Sequence, residues 1–162
     1  MDAQSIEEIY NYKKACDHII TGGQPSEEQL RAVADAGFEV IINLSTNAPH
    51  YALPDEEGLV RTLGLQYHYL PVQWETPTAV DFENFIELME KLTDKKVLVH
   101  CAANYRASSF YALYALQKRQ WSEPQADAFI VDVWQPDEYP QWLIFIDLIK
   151  RRIAAKNNQG NL

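Results

Sequence analysis

The sequence predicts an α/β fold with a mainly parallel central sheet flanked by helices. Three observations predict it. Two short runs, 38–44 (FEVIINL) and 96–100 (KVLVH), are almost continuously apolar and rich in β-branched residues, the pattern of strands buried on both faces. The longer stretches between strands carry apolar residues at helical spacing. Helix start and stop signals recur between the strands, so the two element types alternate along the chain.

Taken in order, residues 5–14 read as a weak helical start and 18–21 as a short apolar run closed by the turn Gly22-Gly23-Gln24-Pro25. A helix opens at Ser26, which has Gln29 at capping-box spacing, and stops at Gly37, with Leu30, Val33 and Ala34 facing inward. After the strand 38–44 comes a loop, 45–54, with two prolines. Residues 55–63 read as a short helix ended by Gly64, 65–72 as the next strand and 73–77 as a loop. Thr78 opens a helix to about Thr93, with Phe82, Phe85, Ile86, Met89 and Leu92 on one face. The third buried strand, 96–100, is followed by helices over 105–120, 123–133 and 139–155. In the last, Trp142, Ile146, Ile149 and Ile153 recur at helical spacing. This helix-rich third is expected to pack on one side of the sheet. Residues 1–155 are expected to form one domain, and 156–162 a disordered tail.

Composition narrows the function. The 162 residues are 47% hydrophobic and 23% charged, as in globular domains. No apolar stretch approaches the roughly 20 residues of a spanning helix, so no membrane association is expected. The polar, acidic stretch 1–10 lacks the basic start and apolar run of a secretory leader, and the expected location is cytoplasmic. With 23 acidic against 14 basic residues the formal charge is −9, which excludes a phosphate-tracking nucleic-acid surface. An anionic substrate must then be caught by a local device. Two cysteines, Cys16 and Cys101, are too few for a disulfide framework or a four-cysteine zinc site, and no cofactor or metal is expected.

The chemistry concentrates in 97–109, VLVHCAANYRASS. A buried strand ends at His100 and a helix begins near Tyr105. Cys101 therefore stands at the carboxyl edge of the sheet, where open α/β folds bind ligands, and against a helix N-terminus. Free N–H groups and the positive end of the helix dipole converge there, favouring a thiolate and offering an anion cradle without lysines. Arg106, in the first helical turn, has the planar fork to grip two oxygens of that anion. Cys16 has no cationic neighbour in sequence and reads as a small apolar residue. Successive strand residues point to opposite faces, so His100 is expected to turn away from the Cys101 sulfur and to support the loop by hydrogen bonding.

These residues resemble the cysteine-dependent protein tyrosine and dual-specificity phosphatases, with their HCX5R loop. Three further segments narrow the likeness: 21–26 (TGGQPS), Gly37-Phe38 leading into 40–44, and 67–72 (YHYLPV). Together they are similar to a bacterial phosphatase-like family of unknown function, found alone and within β-lactamase-hydrolase-like proteins. The resemblance covers about 19–109. It implies the phosphatase fold and a phosphocysteine mechanism, with Cys101 as nucleophile. The amides of Ala102, Ala103, Asn104, Tyr105 and Arg106, with the Arg106 guanidinium, would hold phosphate. Ser108 or Ser109 would supply the hydroxyl that eases the departure of sulfur.

The chain also departs from that pattern. Four residues, not five, separate Cys101 from Arg106, a loop length that rhodanese-type sulfurtransferases also use. The loop has no glycine, so several of its N–H groups turn inward only if one residue adopts a left-handed conformation, for which Asn104 is best suited. The loop 73–77 (QWETP), where the phosphatases carry a general-acid aspartate, has none. Glu75 is the first candidate acid. Asp81 is the second, although its spacing from Thr78 is also that of a capping box. Gln24, Asn43, Ser45 and Asn47 sit near the same edge, and Trp74, Tyr67 and Tyr105 offer rings to an aryl phosphate. The expected function is a phosphomonoester hydrolase acting on a phosphorylated protein or small molecule. The alternatives are a sulfurtransferase or persulfide carrier, and a non-catalytic phosphate-binding module.

Overall fold

The computed structural model describes residues 6–160. Five strands, β1 (Lys13–Cys16), β2 (Ile19–Gly22), β3 (Val40–Asn43), β4 (Gln66–Tyr69) and β5 (Val97–His100), form one sheet in the order β1-β2-β5-β3-β4. β2, β5, β3 and β4 run parallel, and β1 is an antiparallel edge on β2. The helices are α1 (Glu27–Asp35), α2 (Glu56–Thr62), α3 (Ala79–Lys91), α4 (Tyr105–Lys118), α5 (Glu123–Val131) and α6 (Pro140–Gly160), with a 3-10 turn at Pro136–Glu138.

The helix starts follow the capping chemistry. Ser26, Thr78 and Ser122 each accept from the amide three residues on, and Gln29, Asp81 and Gln125 return the bond to the cap. Gly37 and Gly64, after α1 and α2, have φ of 90° and 85°, conformations that glycine adopts without a Cβ penalty.

Strand residues alternate between two cores. Val97, Val99, Val40, Ile42 and Ile19 pack against side chains of α3 to α6, so the helix-rich last third does cover one face. Leu98, Ile41 and Ile20 meet Leu30 and Val33 of α1 and Val60 of α2 on the other. α4 lies innermost, with Arg106–Ala115 all buried, because the sheet is on one side and α5 and α6 on the other.

Two expectations change at the ends. Among the described residues of the stretch 5–14, Ile6 and Glu7 alone are helical, and Lys13–Cys16 form β1 instead. The chain turns at Asn11 (φ 52°), and pairing with β2 offers this segment backbone partners that a short isolated helix lacks. α6 continues to Gly160, through most of the stretch expected as a tail, while residues 1–5 and 161–162 lie outside the described residues. Among the described residues no helix is long and apolar enough to cross a membrane.

Candidate active site

The three central parallel strands end together. His100 is level with Gly22 on β2 and Asn43 on β3, and the Cys101 amide donates to Gly22 O at 3.2 Å. Cys101 therefore leaves the middle of the sheet with its backbone still held. Its side chain is 1% exposed and belongs to the α3–α6 face. The Ala107 N–H points at its Sγ from 3.5 Å, so the first turn of α4 is aimed at the sulfur.

The loop reaches α4 through Asn104, whose φ of 69° supplies the left-handed residue that a loop without glycine needs. Gly23 bridges to Ala103, and a Cβ at Gly23 would lie 2.6 Å from Ala102 O. The 22–25 turn is thus a close backbone approach to the loop as well as a change of direction.

Arg106 is 6% exposed, and its Nη1 donates to Val72 O at 2.9 Å. With one nitrogen anchored just beyond β4, the rest of the guanidinium fork is held beside Cys101. A cleft of about 230 Å³ opens over them, lined by Trp74, Cys101, Ala102, Ala103, Tyr105, Arg106 and Tyr139. Its aromatic wall is rigid. Trp74 stacks on Trp142 with ring centres 5.3 Å apart, and Tyr105 lies parallel to Trp134 at 4.7 Å.

His100 turns to the opposite face, as strand alternation requires. Its Nε2 meets Glu56 Oε2 at 2.6 Å, and its Nδ1 faces Cys101 O at 3.2 Å. Both ring nitrogens face oxygen atoms that can accept. Gln24 Nε2 donates to the other carboxylate oxygen, Oε1, at 2.6 Å. Burial acts to raise the Glu56 pKa, but the His100 charge, the His100 hydrogen bond and that of Gln24 outweigh it and hold the carboxyl below its usual range.

The other sequence candidates fall in different places. Glu75 is exposed on its loop and is not part of the cleft lining. Asp81 closes the α3 cap, its Oδ2 accepting from the Thr78 amide at 3.1 Å. Ser108 and Ser109 hydroxyls donate back to Tyr105 O at 3.3 and 2.8 Å, so it is the Ala107 amide that faces the sulfur. Asn43, Ser45 and Asn47 bond to one another and shape the loop after β3. Tyr67 is buried on the α1–α2 face, where burial pushes its phenol up to about 12, far from a stacking role in the cleft.

Two residues at the site escaped the sequence. Glu56 looks like any first-turn acid beside Glu57, although its spacing to Val60 puts both on one helix face. Tyr51, in the loop 45–54, lies where the Arg106 charge acts on its phenol. Burial opposes ionisation of this phenol, but Thr46, the Ala48 backbone and Arg106 together lower its pKa.

A family profile described as "DSP-PTPase phosphatase fused to NAD+ Kinase" matches residues 2–133. A DUF442 protein of Shewanella putrefaciens CN-32, classed as a candidate phosphatase, is 33% identical. Its crystal structure superposes with a TM-score of 0.83 over 92% of this chain and 94% of that one. A variant of Tk-PTP shares the fold at 20% identity, with a TM-score of 0.75 over 89% of this chain and 97% of its own. A β-lactamase hydrolase-like protein of Xylella fastidiosa (strain Temecula1) is 31% identical over 100 residues, 60% of this chain. The match spans only 23% of that longer relative.

Proposed function

The chain belongs to the family described as DSP-PTPase phosphatase fused to NAD+ kinase, and we propose that it hydrolyses phosphomonoesters through a phosphocysteine intermediate. The observation that carries this reading is the pairing at the cleft floor. Cys101 Sγ faces the Ala107 amide at 3.5 Å, beside an Arg106 whose Nη1 is anchored on Val72 O. The remaining guanidinium N–H groups and the loop amides match the equatorial oxygens of a phosphoryl group. The Cys101 thiolate attacks phosphorus opposite the ester oxygen. The S–P bond forms as the P–O bond breaks, and the departing oxygen takes a proton, for which Glu75 is the first candidate and Asp81 the second. Water then attacks phosphorus, the S–P bond breaks, and orthophosphate leaves with the thiolate restored. The Glu56–His100 pair acts through the Cys101 carbonyl and so positions the nucleophile without touching the substrate. The substrates are phosphorylated proteins or small molecules, and the cytoplasm, which keeps thiols reduced, suits such a nucleophile.

The four-residue spacing between Cys101 and Arg106 favours a second reading, persulfide transfer by the same sulfur. Mass spectrometry of the protein after incubation with an aryl phosphate or with thiosulfate separates the two. A phosphoryl adduct on Cys101, lost in Cys101→Ser and retained in Cys16→Ser, is the expected result. A single added sulfur with no phosphoryl adduct would establish the transferase. Neither adduct, with phosphate still bound, would leave a binding module.

A further inference from the structure

A loop with no glycine cannot hold several amides toward one point without help, and the contacts around 102–104 lead to the turn before β1. Asn11 there is left-handed, with φ 52°. Its Nδ2 donates to Ala103 O at 2.9 Å, and its own carbonyl accepts from Asn104 Nδ2 at 2.8 Å. Asn11 thus donates to the carbonyl just before Asn104 and accepts from the Asn104 side chain, two separate bonds that join the same two segments. Asn104 Nδ2 also donates to Thr21 Oγ1 at 3.0 Å, and that hydroxyl donates to Lys13 O at 2.8 Å. Asn104 is wholly buried with its Oδ1 unpartnered, so its two donor contacts fix its orientation. Beside these bonds, Gln24 N donates to Ala102 O at 2.9 Å, and Gly23 N ties down Tyr10 O at 2.7 Å.

The consequence follows from peptide geometry. In a trans peptide the carbonyl and the next N–H point in opposite directions. Drawing Ala102 O to Gln24 and Ala103 O to Asn11 turns the N–H groups of Ala103 and Asn104 away from those partners. We propose that Asn11 is a positioning residue of the candidate active site, clamping the 101–106 loop so that its amides form a cradle for a phosphoryl oxyanion before any ligand arrives. This rests on the reading of that loop as a phosphate cradle. The clamp explains how a short loop without glycine keeps an inward ring of donors, and why the segment before β1 turns at Asn11 instead of continuing as a helix.

The test uses Asn11→Gly, which keeps the left-handed turn and removes only the side-chain donor. Asn104→Gly, which removes the return bond to Asn11 O and keeps the left-handed backbone, is the second variant should the first not fold. Inorganic phosphate is titrated against the full chain and followed by the amide NMR signals of 102–106, with kcat and KM for p-nitrophenyl phosphate measured alongside. Each variant should bind phosphate about tenfold more weakly, the equivalent of one lost hydrogen bond to the loop. The double variant should lose less than the two singles combined, because both bonds join the same two segments. Wild-type phosphate affinity in Asn11→Gly, with only the melting temperature lowered, would reduce Asn11 to a structural residue and overturn the proposal. A wild-type loop whose amides ignore phosphate would also overturn it. If the wild type binds phosphate at the loop yet hydrolyses no ester, the hydrolase reading fails, and the tenfold loss on mutation still decides the clamp.

Discussion

Replacing Glu56 by glutamine isolates the support beneath the Cys101 loop. Glu56 is 5% exposed and accepts two hydrogen bonds of 2.6 Å, from His100 Nε2 on one oxygen and Gln24 Nε2 on the other. Glutamine has almost the same shape but one acceptor oxygen, so its NH2 must face either His100 Nε2 or the Gln24 amide, each of which donates to Glu56. Removing one partner of a buried ion pair is destabilising by about 3–5 kcal/mol, and glutamine still offers one acceptor oxygen, so about 3 kcal/mol is expected. For a chain of this size that lowers the melting temperature by roughly 6–12 °C. The pH dependence has a definite sign. The Glu56 carboxyl is held below its ordinary range in the folded chain. Its stabilisation is fully present above the unfolded-chain value of about 4.3 and disappears as pH falls through the lower native value. Urea unfolding of wild type and Glu56→Gln should therefore diverge most near neutrality and converge on acidification. Glu57→Gln is the control, because Glu57 is exposed and pairs with Arg61 four residues on, a pair that contributes about 0.3–0.5 kcal/mol. A Glu56→Gln variant no less stable than Glu57→Gln at neutral pH, or a gap that does not narrow in acid, would refute the buried ion pair as described.

Arg106→Lys should reduce kcat/KM for an aryl phosphate about a hundredfold, because an ammonium cannot both hold Val72 O and grip two phosphoryl oxygens. Near-normal kcat/KM would mean that the fork is not used. Glu75→Gln should slow esters of poor leaving groups by about 10²-fold or more and spare good ones if Glu75 is the proton donor. A leaving-group dependence seen in Asp81→Asn instead would transfer the role. Otherwise Asp81→Asn should only loosen the α3 cap, by about 1 kcal/mol in urea unfolding. Trp74→Ala should raise KM for aryl phosphates up to about tenfold more than for alkyl phosphates, since a ring contact adds about 0.5–1.5 kcal/mol beyond buried area. Equal changes for both classes would remove Trp74 from substrate contact.

Much of this protein is local and therefore legible in the linear chain. Ser26, Thr78 and Ser122 place three helix starts because a capping box closes within four residues, and Gly37 and Gly64 end two helices by a conformation that glycine reaches freely. The run 97–100 into 101–106 locates Cys101 and Arg106 for the same reason, since strand, short loop and helix N-terminus follow one another directly. The need for a left-handed residue at Asn104 could be read from the absence of glycine. What the tertiary structure alone decided depends on partners far away in the chain. Residues 13–16 are a strand because β2 is there to pair with them, although their local pattern is weakly helical. Glu56 differs from Glu57 only because the fold sets His100, 44 residues later, against it. Asn11 reaches the loop across 92 residues, and the Arg106 charge acts on Tyr51 from a loop whose sequence gives no sign of it. Helical and turn propensities act over a few residues, whereas a hydrogen bond between distant segments forms only after the sheet has closed the chain between them.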